Sequence, residues 1–204
     1  MTAIRASTSS VAALGVAAVA GTAAGALTAH LQGVFPAAWS TIANSGAVWT
    51  VVAFALAAAL GRTRATAVTA GLLVLLGEVA GYYIYLAARG LPATETEQVL
   101  WTMAALWIGP LVGIAAFAAR WGTAVQRMAA LTGLAGVLAG EGGHLIRLAG
   151  LPKPGWVEVV LAAVLATEAL TSGRVPVRMR AAALGLGAAT AAAVYLAYGL
   201  PLFG

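Results

Sequence analysis

The chain contains no cysteine and no aspartate, a single lysine (Lys153), two histidines and only six acidic residues, all of them glutamate. Each shortage closes off chemistry. Without cysteine there is no disulfide, thiolate metal site or redox pair. Without aspartate, the aspartate-rich magnesium site that ionises prenyl diphosphates cannot be built. A retinal Schiff base needs a lysine inside a membrane helix, and Lys153 reads as a loop residue between two prolines, so that class is excluded. No Walker motif, nucleophile elbow or HExxH occurs. Charged residues make up 8% of the chain, against roughly 25% in a soluble domain. No stretch is long and polar enough to fold beside a membrane part.

What is present is apolar: 62% of the residues, with a mean hydropathy of +0.95. A membrane span needs about 20 mostly apolar residues. Spans are expected at 10–31, 42–60, 65–87, 98–119, 124–146, 156–173 and 180–200, separated by Pro36, Gly61, Pro92, Gly122, the Pro152/Pro154 pair and Pro176. The shortest, 156–173, could merge with its successor and leave six. Arg5 before an alanine-rich run, with small residues at 24–26, has the pattern of a signal peptide; the reading taken is a retained first span. Alternate connecting segments hold Arg5, Arg62, Arg64, Arg120, Arg127, Arg174, Arg178 and Arg180 on one side, and Arg89, Arg147 and Lys153 on the other. Eight against three puts the N-terminus in the cytoplasm and the C-terminus outside. The net charge of +5 thus speaks of orientation, not of nucleic acid. The expected fold is an all-α membrane protein, a single domain over residues 1–204 formed as a bundle of seven transmembrane helices. No internal repeat is evident.

Orientation assigns depth. Trp39, Asn44, Trp49, Glu78, Tyr82, Tyr83, Tyr85, Trp101, Trp107, Glu141, His144, Arg147, Trp156, Glu158, Tyr195 and Tyr198 all fall in the outer half, whereas the inner half offers only Phe54, Phe117 and Trp121. An aromatic belt would mark both faces, so the asymmetry predicts an outer pocket. Glu78, Tyr82 and Tyr85 stand at i, i+4 and i+7 and share one helix face; Glu141 and His144 stand at i and i+3. Ionisable groups at membrane depth are costly and mark sites. A carboxyl in a dry apolar setting favours its neutral form and can donate a proton.

Plainer readings compete at each position. Glu78 could be a packing carboxyl satisfied by a hydroxyl or arginine, and Glu141 could pair with Arg147 or His144. Glu168 reads as structural, reaching Arg174 or the interface; Glu158 reads as interfacial, and Glu95 and Glu97 as solvated loop residues. Trp39, Trp101 and Trp156 read as belt residues taken singly, whereas Trp49 and Trp107 lie deeper. Tyr82 and Tyr83 are adjacent, so one of them is expected to meet lipid or another helix. A bis-histidine haem through His30 and His144, or a metal on Glu78, Glu141 and His144, is set aside, and no cofactor or metal is expected.

Three segments, WSTIANSGAVW (39–49), GEVAGYY (77–83) and AGEGGHLIR (139–147), resemble those of small actinobacterial membrane proteins. Over its whole length the chain also resembles the small transmembrane terpene cyclases, bacterial and fungal, that cyclise prenylated indoles and meroterpenoid precursors. That resemblance implies a multi-pass protein of a bacterial plasma membrane and an intramembrane acid that protonates a terminal alkene or epoxide, a role falling on Glu78 or Glu141. Fungal members also use an aspartate late in the chain, which is lacking here. His144 would orient the acid or remove the last proton, and Trp39, Asn44, Trp49, Tyr82, Tyr85, Trp107 and Tyr195 would line the site. The partners implied are a hydrophobic prenylated small molecule and the bilayer. The residues themselves also suit a membrane subunit that binds a vitamin for a transporter, or a small proton-coupled transporter using Glu78.

Overall fold

The computed structural model describes residues 2–171, 173 and 175–199, with side chains from Ser10 onward except Ala38. Arg174, part of the charge-bias argument, lies outside them, as do residue 200 of the last expected span and the Arg5 side chain. The described residues form eight helices and no strand: α1 (Thr2–Val34), α2 (Ala37–Ala43), α3 (Gly46–Leu60), α4 (Arg64–Ala88), α5 (Glu95–Trp121), α6 (Ala124–Arg147), α7 (Pro152–Thr171) and α8 (Val177–Tyr198). Seven stretches are long and apolar enough to cross a membrane, α2 and α3 together supplying one of them, Trp39–Leu60. The protein is an all-α, multi-pass membrane protein.

Local sequence sets the helix ends. Thr63 caps α4 by accepting the Thr66 N–H at 3.1 Å, and Thr123 with Gln126 forms a capping box on α6. Gly90, at φ 62°, lets α4 stop: the N–H of Leu91 returns to the Leu86 carbonyl at 2.9 Å, as in a Schellman motif. Two expected loops are helix instead. Glu95 and Glu97 form the first turn of α5, where Thr94 and Glu97 cap one another, so acidic side chains meet the positive helix end. Pro152, Lys153 and Pro154 open α7, because proline in a first turn sacrifices only N–H groups that have no helical partner. The doubtful sixth span is therefore full length, and Lys153 stands exposed in the first turn of a helix.

The chain divides into two compact units, one of residues 1–34 and 49–117, the other of 35–48 and 118–204. In the first, α1 packs along α4. A Cβ at Gly21 or Gly25 would overlap the backbone of Val74 or Glu78, and one at Gly77 or Gly81 would run into α1. Close backbone approach of this kind holds membrane helices together, since lipid offers no hydrophobic drive between them. Gly71, Gly109 and Gly113 do the same for α4 and α5. Trp49, Val74, Leu75, Val79 and Val112 are among the buried core side chains.

In the second unit α6 is the central helix, packed on α7 and α8. Gly136 and Gly140 lie against α8, and Gly142 lies against Gly155 and Glu158 of α7. Met128 and Leu138 are fully buried along α6.

Candidate functional site

In the second unit, the polar chemistry gathers where the span Trp39–Leu60 is broken. The helix stops at Ala43 and restarts at Gly46, without proline at the break. Asn44 and Ser45 carry side chains that compete with helical hydrogen bonding. Ser45 caps the restart, its Oγ accepting the Val48 N–H at 3.1 Å. Open backbone at membrane depth is tolerated only where protein satisfies it, and a side chain from α6 does so: Glu141 Oε2 accepts the Ala47 N–H at 2.6 Å. The same oxygen accepts the Tyr198 hydroxyl of α8 at 2.9 Å. From α7, Glu158 Oε1 accepts the Ser45 hydroxyl at 2.7 Å, while its Oε2 is buried with no partner. Glu141 is 4% exposed and Glu158 1%.

The expected site residues Glu141, His144 and Tyr195 are brought together here. The His144 ring stands 6.3 Å from that of Tyr195 and 5.5 Å from that of Tyr198, and its Nδ1 is buried without a partner. Asn44 sits in the break as the C-cap of α2. Trp39 is partly exposed, in keeping with a belt residue. Neither Arg147 nor His144 is a hydrogen-bond partner of Glu141; an amide and a phenol take that place.

Three members were not among the expected site residues, although Glu158 and Tyr198 belong to the outer-half set. Glu158, read as interfacial, is the seventh residue of α7 and is buried there, accepting the Ser45 hydroxyl. Ser45 carried a signal, since Asn-Ser before an apolar run is a helix-start pattern. Tyr198 follows Tyr195 by three residues and so shares its face. Glu168 pairs with Arg127 at 3.2 Å, both half-exposed; Arg174, the partner expected for it, lies outside the described residues.

The first unit holds Glu78, 1% exposed, its Oε2 buried with no partner among the described residues. The shared face of Glu78, Tyr82 and Tyr85 turns to α1: the Glu78 backbone lies on Gly25, the Tyr82 hydroxyl donates to Gln32 Oε1 at 2.7 Å, and the Tyr85 hydroxyl meets His30 Nδ1 at 2.9 Å. One turn beyond Glu78, the Tyr82 ring stands 5.8 Å from Trp49, and Trp49 6.3 Å from Trp101. Trp49 is 8% exposed and its Nε1 has no partner. Of the adjacent tyrosines, Tyr82 is the one that meets another helix, α1, as expected of one of the two, while the Tyr83 ring meets Tyr82 edge-on at 5.3 Å, because side chains this long can bend together from adjacent positions. Trp101, read as a belt residue, belongs to the cluster. Trp107 is a correction in the other direction. At 77% exposed it projects off α5 and lines no pocket wall within this unit.

No three His, Asp or Glu side chains among the described residues are grouped as a metal ion would require. The chain matches, over residues 4–203, a family of unknown function, DUF6518, and belongs to it. No curated protein and no solved structure matches.

Proposed function

We propose that this protein is a membrane-embedded acid catalyst, a cyclase that closes rings in a neutral prenylated substrate such as a prenylated indole, and that its N-terminus is cytoplasmic. One observation carries the reading: Glu78 is buried, has an unpartnered carboxyl oxygen, and stands one helical turn from the Trp49–Tyr82–Trp101 cluster. The acid role goes to Glu78 rather than Glu141 because Glu141 Oε2 is already held as an acceptor by two donors.

In this reading the Glu78 proton adds to the CH carbon of the terminal prenyl alkene, leaving a tertiary cation on the dimethyl carbon. The next double bond attacks it, and the ring closes. A final proton loss restores the acid and yields an isomer of the substrate. Aromatic faces stabilise each cation by about 0.5–2 kcal/mol, more where water is excluded. No diphosphate leaves, which suits a chain without aspartate.

The test is incubation of the purified protein, in detergent and in lipid, with 3-farnesylindole and related neutral prenylated acceptors. New products of unchanged mass support the reading. Unaltered substrate across the series, from protein that remains folded, removes it.

A further inference from the structure

The pair Glu141 and Glu158 has no part in the reaction just proposed. Two carboxyls from different helices converge on residues 45–47 of one backbone, where α2 gives way to α3. The Ser45 hydroxyl, which donates to Glu158, also faces the Glu141 carboxyl. Their hydrogen bonding is unequal. Glu141 has an N–H and a phenol aimed at one oxygen, at the positive end of α3, which suits a carboxylate. Among the described residues, Glu158 has a single donor on Oε1, and nothing on an Oε2 that is cut off from solvent. Two adjacent charges buried in apolar surroundings repel, and the usual resolution is one proton held between the two groups.

Packing identifies the ligand. A Cβ at Gly142 would run into the Gly155 carbonyl and crowd Glu158; one at Gly46 would overlap the Tyr198 hydroxyl. Helices this close leave no room for an organic cation, and the donor set does not suit a metal. A proton needs no space.

We propose that Glu141 and Glu158 together bind one exchangeable proton, carried on Glu158, in a protonation site distinct from Glu78. Among the described residues, Tyr198 of α8 faces the pair, the His144 ring of α6 stands beside Tyr198 and Tyr195 beside His144, and α2 and α3 bring no titratable group. Through Ser45 and Ala47 the site ties α6 and α7 to the break, so its proton is part of what fixes that broken span. The inference is independent of the cyclase reading.

Infrared spectroscopy of the purified protein at neutral pH tests it, through the carbonyl stretch of a protonated carboxyl group. E78Q removes the other buried acid. In that variant a protonated-carboxyl band is expected, shifting in D2O. Adding S45A should move its frequency, since the donor to Oε1 is lost, and adding E158Q should abolish it. Circular dichroism confirms that each variant is folded. Absence of the band in E78Q, its persistence in the E78Q/E158Q protein, or an unmoved frequency with S45A would each overturn the proposal. Should E158Q prevent folding, the D2O and S45A results decide. Turnover of a prenylated substrate is not used, so failure of the cyclase reading leaves this test intact.

Discussion

Glu141 on α6 supplies the hydrogen bond that the Ala47 amide lacks, at 2.6 Å and across 94 residues of sequence. A carboxyl side chain there repairs a gap that its own helix did not create. A buried carboxyl can thus serve the fold alone, and structural and catalytic roles must be separated by measurement.

Replacing Glu141 with alanine strands the buried Ala47 N–H and takes away the acceptor of the Tyr198 hydroxyl. At about 1–3 kcal/mol for a buried unsatisfied group, unfolding in a fixed detergent should show a loss of more than about 1 kcal/mol. Arg127→Ala, which breaks only the half-exposed pair with Glu168, should cost less than about 1 kcal/mol. Equal losses for the two variants would contradict the described geometry.

Glu78→Gln keeps the side-chain shape but has no acidic proton. If cyclisation is observed, its rate should fall at least about 100-fold while substrate affinity changes little. Near-normal turnover would take the acid role from Glu78.

Trp49 and Trp107 make a matched pair for the aromatic role, one buried against Tyr82 and the other exposed. Fluorination weakens the negative face of an indole ring with little change of size. In proteins retaining a single tryptophan, fluorotryptophan at 49 should slow the reaction or redirect its products, and at 107 should do neither. A response only at 107 would place the substrate elsewhere.

Gly25→Val drives a side chain into the Glu78 backbone, whereas Gly15 has open space where a Cβ would stand. The first should destabilise by about 1–3 kcal/mol, on the scale of overpacking. Gly15→Ala should lie within about 0.5 kcal/mol of the parent. Thermal unfolding of both variants checks the α1–α4 contact.

Seven spans and the basic-residue bias of eight to three together predict a cytoplasmic N-terminus and an external C-terminus. A reporter joined after Gly204 should be active only in an external compartment. Cytoplasmic activity at that position would reverse the orientation.

The sequence by itself determined the class and the spans. Hydropathy over about 20 residues is a sum, so it survives ignorance of every contact. It also placed Glu78, Tyr82 and Tyr85 on one face, because helical period is a local property; the structure turns that face to α1. Tertiary structure alone decided which oxygen meets which donor. Nothing near position 158 states that Ser45 lies opposite it, and nothing near 141 names Ala47, since those pairs are separated by 113 and 94 residues. Trp49 and Trp107 look alike as deep tryptophans, yet one is buried and the other exposed, because side-chain direction follows from which neighbours pack against α3 and α5. Depth can be read along a chain; partnership is a property of helices already packed.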